Sequence, residues 1–253
     1  MKKLIVTILT LTALSVGASE ITGRDIMQMV EDRDSSLTSV METAMFIQRG
    51  EQTLERRTVS YRKKYGVDEK SLIRFEKPAD VRDTMYLTWS YEDPEREDDM
   101  WLYLPAESLV RRISGGGKKG AFMRSDFANE DIQKREVDDD THRLIGKREF
   151  SGINCYEVES VPVKKEDTNY SKKIVLVHPE MFLVLKTEYY DKGGRMLKTA
   201  VYGGFVNIDG IDTYTKVLME TPSRKTKTFL ERSNIRYNEE ISDTLFEQSS
   251  LKR

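Results

Sequence analysis

Apolar positions along the chain change period once, near residue 35. Between residues 22 and 34, Ile26, Met29 and Val30 fall at i, i+3 and i+4 and predict an amphipathic helix. Thr22 is its expected N-cap, and Asp25 places negative charge in the first turn. Such a stripe packs on a core or lies as a lid over a cavity. Beyond Ser35-Ser36 the period becomes two. Met41, Thr43, Met45 and Ile47 begin a series of short runs that continues with 54–65, 71–76, 84–91, 100–104 and 109–114. After an interruption at 115–138 the series resumes with 142–150, 154–161, 173–178, 183–191, 196–206, 213–220, 227–230 and 233–237. Runs of this length bounded by Gly, Pro or charged clusters predict successive antiparallel strands. Gly193-Gly194 and Asp209-Gly210 mark hairpins between them. About a dozen strands with little helix predict a mainly β architecture, one curved sheet or barrel-like body. Asp126 is expected to cap a helical turn through Ile132, and Phe246 to dock a terminal segment on the core.

In 84–91 the alternation is clean, with Met85, Leu87, Trp89 and Tyr91 facing one way and Thr84, Tyr86, Thr88 and Ser90 the other. Eleven methionines occur in the chain, several of them beside aromatics on strands. Methionine suits surfaces that accept varied apolar partners, and equally fills ordinary cores. A curved sheet with a concave apolar face would hold acyl chains. The expected lining is Met85, Leu87, Trp89 and Tyr91 with Met100 and Leu102, and Phe122 and Phe127 at the mouth.

The ends of the chain and its charge narrow the setting. Lys2-Lys3, an apolar stretch from Leu4 to Leu14 and the small residues Val16-Gly17-Ala18 form the pattern of a cleavable signal peptide over residues 1–18. The expected location is the periplasm. With 41 basic and 43 acidic residues, nothing in the net charge points to nucleic acid. The lone Cys155 has no internal disulfide partner.

Catalytic chemistry is poorly supplied. His142 and His178 are far apart and lack metal-type spacing, and Cys155 has no base near it in sequence. The run Gly115–Gly120, with two lysines, lacks the Lys-Ser/Thr of a phosphate loop, and Asp138–Asp140 lacks calcium-loop spacing. No catalytic residue, metal or cofactor is expected. Arg111 and Arg112 are adjacent in a strand and must point to opposite faces, so at most one faces the concave side. An arginine buried there needs an acceptor, either Asp126 or Glu130 or a lipid headgroup.

Three linked submotifs then follow in order. They are Trp101-Leu102-Tyr103-Leu104-Pro105, Val110-Arg111-Arg112-Ile113-Ser114, and Phe122-Met123-x-Ser125-Asp126-Phe127 with Glu130-Asp131 behind it. With Ile26…Val30-x-Asp32-Arg33-Asp34 at the start and Ser242-Asp243-x-Leu245-Phe246 at the end, the chain resembles the LolA-like outer-membrane lipoprotein-sorting proteins. It departs from their usual pattern at Arg124, where glycine is common, and near Asn129, where an aromatic is common.

The resemblance implies an unclosed antiparallel β-barrel, a half-barrel with an N-terminal helix and a short helical lid segment, over residues 19–253 as a single domain. It implies a monomeric, non-enzymatic periplasmic carrier of lipoprotein acyl chains or other lipids. Its expected partners are an inner-membrane exporter of the resistance-nodulation-division type and an outer-membrane acceptor. Arg111, Arg112, Ser125 and Asp126 are expected as structural motif residues. The alternative is a periplasmic regulatory or sensor protein on the same fold that binds a partner protein.

Overall fold

The computed structural model describes residues 20–93 and 95–252. The expected signal peptide lies outside the described residues. Helix α1 spans Gly23–Asp32 and starts at a reciprocal capping box. Thr22 Oγ1 accepts from the Asp25 amide, and the Asp25 carboxylate accepts from the Thr22 amide.

Thirteen strands follow: β1 Thr38–Arg49, β2 Gln52–Tyr65, β3 Asp68–Lys77, β4 Met85–Ser90, β5 Asp99–Leu104, β6 Leu109–Ile113, β7 Asp140–Phe150, β8 Ile153–Pro162, β9 Lys172–Val177, β10 Val184–Tyr190, β11 Met196–Ile208, β12 Ile211–Thr221 and β13 Thr226–Tyr237. All pair antiparallel in one sheet of order β6-β5-β4-β3-β2-β1-β13-β12-β11-β10-β9-β8-β7. Each half is a meander, and the β1–β13 pairing joins them, with Met45 opposite Leu230. Strands β6 and β7 are the two unpaired edges. The sheet is the unclosed half-barrel.

The expected strands at 227–230 and 233–237 are one continuous strand. Glu231 and Arg232, the charged pair between them, continue the ladder opposite Ala44 and Thr43, and the register shift against β1 comes later, at Asn234 with φ 49°.

The sheet has two apolar faces. On the inner face lie Met45, Phe75, Tyr86, Met100, Tyr189, Val217, Met219 and Leu230. Segment 114–139, which connects the two edge strands, crosses this face and inserts Phe122 and Phe127 into that cluster. At one end of the same face, α1 packs Ile26 on Val158, Val175 and Val177. The helix approaches so closely that a Cβ on Gly23 would stand 2.5 Å from the Leu144 amide nitrogen.

On the outer face of the first meander, Val40, Leu72, Leu87 and Trp101 are covered by Ile241, Phe246 and Leu251 of the C-terminal segment. Trp89 Nε1 donates to the Phe246 carbonyl at 2.8 Å, which fixes that segment in place. The C-terminal segment thus serves as the missing layer for half of the sheet. Phe246 is fully buried. Phe246→Ala is expected to cost about 3–5 kcal/mol, read as a lowered urea midpoint, with Trp89 fluorescence reporting release of the segment.

Candidate functional site

Direct cross-strand partners share a face, so the register decides what the inner cavity contains. Tyr86 pairs with Leu102 and Thr88 with Met100, whereas Leu87 pairs with Trp101 and Met85 with Tyr103. The eight residues expected as one lining therefore divide. Met100, Leu102, Phe122 and Phe127 belong to the inner cluster. Met85, Leu87 and Trp89 lie on the outer face beneath the C-terminal segment. Tyr91 is beyond the end of β4, where its hydroxyl donates to Asp99 at 2.9 Å and the Arg96 guanidinium stacks on its ring. Alternation groups residues within a strand, but only the register between strands says which groups meet.

The inner face holds a cavity of about 310 Å³. Met41, Met45, Ile73, Val217 and Leu230 line it from the sheet, with Tyr189, Tyr202 and Tyr214. Phe122, Phe127 and Ile132 roof it from the crossing segment. Met41 and Met45 stand out in the sequence as alternate members of the period-two run Met41, Thr43, Met45, Ile47; the three tyrosines, spread over β10 to β12, do not. On the far side of Phe127 a more open, polar cleft of about 480 Å³ runs past Tyr170 and Lys198. Phe127 thus borders both spaces.

The crossing segment is held by polar contacts to the second meander. The Asp126 carboxylate accepts from Thr226 Oγ1 at 2.5 Å and from Thr228 Oγ1 at 2.8 Å, and the Asp126 amide donates to Thr228 Oγ1 at 3.0 Å. Ser125 Oγ donates to the Phe122 carbonyl at 2.6 Å and accepts from the Phe127 amide at 3.2 Å, closing the turn that presents both rings. Asp126 therefore caps no helix. The short 3₁₀ turn Asn129–Ile132 is closed by Asp131, whose Oδ2 accepts from the Ala128 amide at 2.6 Å.

Asp131 also meets Lys198 Nζ at 2.5 Å and accepts from the Tyr170 hydroxyl at 2.7 Å. Both partners of this ion pair are about as buried as core residues, with side chains 5% and 3% exposed. Burial and the Asp131 and Glu130 carboxylates push the Tyr170 phenol far above its ordinary value, so it stays a donor. On the apolar side Phe122 packs edge-on against Tyr86, ring centres 4.8 Å apart, and lies 5.8 Å from Phe75.

Arg111 and Arg112 take no part in this. Arg112 pairs with Asp99 at 2.5 Å and Arg111 lies 3.7 Å from Glu107, all near the β6 edge rather than near Asp126 or Glu130. The short strand β6 leaves both guanidinium groups about half exposed, with local carboxylates in reach.

Cys155 is buried, and burial raises its thiol above the ordinary value. His142 bridges Ser160 Oγ at 2.7 Å and the Val137 carbonyl at 2.8 Å, a structural link between β8 and the crossing segment. Among the described residues no cluster of His, Cys, Asp or Glu is arranged to hold a metal ion. None of their helices is long and apolar enough to cross a membrane.

Lys198→Met leaves the Asp131 carboxylate buried without its cation. The expected loss is about 3–5 kcal/mol in denaturant unfolding, and adding Asp131→Asn should recover most of it. Equal losses in the single and double variants would show that the pair does not hold the segment.

The comparisons with known proteins agree with this architecture. A family profile described only as that of an uncharacterised protein matches residues 67–253. A DUF1329 family protein from Desulfovibrio piger is 44% identical, with 90% of this chain and 97% of that one covered and a TM-score of 0.88. A candidate outer membrane lipoprotein-sorting protein domain from Vibrio parahaemolyticus is 29% identical, covering 91% and 98%, with a TM-score of 0.86. A LolA superfamily protein from Nitrosomonas europaea shares the fold at 22% identity, covering 90% and 99%, with a TM-score of 0.72. No curated protein matches. The chain belongs to the DUF1329 family, and its half-barrel is that of the LolA-like lipoprotein-sorting proteins.

Proposed function

We propose that this protein is a carrier that takes up acyl chains on the inner face of the sheet. The observation that carries the reading is the roofed apolar cavity. Methionine, aliphatic and aromatic side chains line most of it, with Thr43, Thr58, Ser60, Arg232 and the crossing segment's Asp131 and Lys134 at its margins, and its roof contributes two phenylalanines on a segment tied down by polar contacts. At about 310 Å³ the space is near the lower end for ligand sites. Withdrawal of Phe122 and Phe127 with the segment enlarges it. An acyl chain then replaces the two rings against the same wall. Each buried methylene contributes about 0.8 kcal/mol, so about ten methylenes supply about 8 kcal/mol toward displacing the rings and the roof.

Binding of this kind needs no covalent step, and the site carries no nucleophile with an activating base. The protein acts in this reading as a single domain over residues 19–253. It is exported to the periplasm on the signal peptide at residues 1–18. There it receives lipoprotein or lipid cargo from an inner-membrane exporter and hands it to an acceptor at the outer membrane.

The test is native mass spectrometry with lipid extraction of protein recovered from the periplasm, followed by titration with a fluorescent acyl probe. Met41→Glu and Ile73→Glu place a charge in the cavity from half-buried positions and are expected to weaken probe uptake by at least roughly tenfold. Met196→Glu, at a position 49% exposed, should leave uptake unchanged. A protein that is recovered empty and takes up no probe would sink the carrier reading. Stoichiometric capture of a periplasmic regulator in the absence of lipid would replace it with the partner-binding one.

A further inference from the structure

Three arginines project from β2 and β13 onto the inner face, and the fold treats them differently. Arg62 pairs with Glu69 and Asp34, each at 3.0 Å. The Arg232 guanidinium lies over the Tyr214 ring, 4.4 Å from its centre. Arg56 is only 6% exposed, yet neither its Nε nor its Nη1 has an acceptor in the protein. A buried guanidinium without a partner is among the costlier features a fold can keep.

The position of Arg56 ties it to the cavity. Its direct cross-strand partner is Met45, and Thr58 follows two residues along the same face; both line the cavity. Its electrostatic neighbours are Asp80, Arg124 and Tyr86. Asp80 is exposed and forms no ion pair with it. Arg124 is a second cation, carried by the crossing segment next to Phe122, and its carbonyl accepts from Arg49 Nη2. Arg124 sits at φ 63° and Met123 at φ 48°, in the left-handed region that favours glycine. A long cationic side chain is thus held on a strained backbone beside a buried, unpaired cation. Burial, followed by Asp80 acting in the opposite sense and then Arg124, leaves Arg56 below its ordinary pKa, as expected of a cation short of negative charge.

We propose that Arg56 is an anion-recognition residue at one end of the inner cavity. It takes the phosphate or carboxylate of an amphiphile whose chain lies along the apolar wall, and Arg124 closes over the same anion from the crossing segment. This rests on the carrier reading for the chain and narrows the cargo to anionic amphiphiles. Guanidinium suits the role because its fixed fork of donors matches both oxyanions and stays charged when buried. Filling the site also couples head to chain, since Arg124 and the Phe122 ring that leaves the cavity are two residues apart.

The test uses the purified, delipidated full-length mature protein and displacement of the neutral probe N-phenyl-1-naphthylamine. Competitors are dodecyl phosphate, glycerol monolaurate and inorganic phosphate. Dodecyl phosphate is expected to compete at least roughly tenfold better than glycerol monolaurate, the effect of one charge-assisted hydrogen bond. Arg56→Gln should remove that preference while leaving glycerol monolaurate unaffected. Arg124→Gln, at an exposed position, should narrow it by a smaller factor.

Equal competition by the two amphiphiles in the wild type, or a preference that survives Arg56→Gln, overturns the proposal while leaving the carrier reading intact. Failure of both amphiphiles to displace the probe overturns the two together. Suppression of the dodecyl phosphate advantage by equimolar inorganic phosphate identifies the anion as free phosphate and supports the site without the headgroup. Removing an unpaired buried charge should not lower the melting temperature, so an Arg56→Gln protein that fails to fold counts against the proposal.

Discussion

Strand β6 ends one edge of the sheet and the next strand in the chain, β7, begins the other, so the connection between them has to pass over the open inner face. Most of the molecule's organisation depends on that constraint. A closed barrel would need no such crossing, because its two edge strands, here β6 and β7, would pair with each other. Here β1 and β13 pair in the middle of the sheet, which places the two ends of the strand series together and leaves the gap between β6 and β7. The chain spans the gap with 3₁₀ turns rather than with a strand or a long helix. Such turns satisfy their own backbone groups locally and leave the side chains to decide how the segment is held.

Those side chains divide the work by chemistry. Asp126 and Asp131 fasten the segment to hydroxyls and an ammonium on the second meander. Phe122 and Phe127 fill the space between the two meanders. The polar contacts are directional, and the apolar ones are not. The segment is also tied to the first half of the sheet, through Lys118 Nζ to the Asp98 carbonyl at 3.0 Å and Arg49 Nη2 to the Arg124 carbonyl, so its apolar filling lies between polar footings on both sides. An acyl chain can take the place of two rings at little loss because burial of apolar area is indifferent to which atoms supply it. Nothing equivalent can replace the Asp131–Lys198 pair, since either partner alone would be a buried unpaired charge. In the carrier reading the buried Asp131–Lys198 pair is the stronger footing, and the exposed Arg49 contact at the Phe122 end is the one that releases first.

Much of the fold is legible in the sequence because the strand signal is local. Thr22 and Asp25 announce the helix, and the period-two runs announce nearly every strand. The one misdivided strand, β13, is interrupted in the sequence by the charged pair Glu231-Arg232, which nevertheless continues the ladder opposite Ala44 and Thr43. The site is less legible because it depends on long-range register. Leu87 and Met100 look equivalent along the chain, yet their strands meet so that Leu87 faces Trp101 and Thr88 faces Met100. One residue of register separates a cavity wall from the outer face. Lys198 and Arg56 carry no sequence signal at all. Each is an ordinary cation in an alternating strand, and burial alone distinguishes them.

Burial also sets these two cations apart from each other. Lys198 is 4% exposed and is met by Asp131 and by the Asp126 carbonyl, so its charge is spent inside the protein. Arg56 is 6% exposed and meets neither a carboxylate nor a carbonyl at Nε or Nη1. The first belongs to the footing of the crossing segment and the second lies under its movable end. A fold that pairs Arg62 on the same strand with two carboxylates has the means to pair Arg56 as well. Leaving Arg56 unpaired, with Arg124 brought close on a strained turn, concentrates uncompensated positive charge beside the methionine and aromatic wall of the cavity. A hydrocarbon chain alone gains nothing from that charge, whereas a chain with an anionic head gains at both ends of the site.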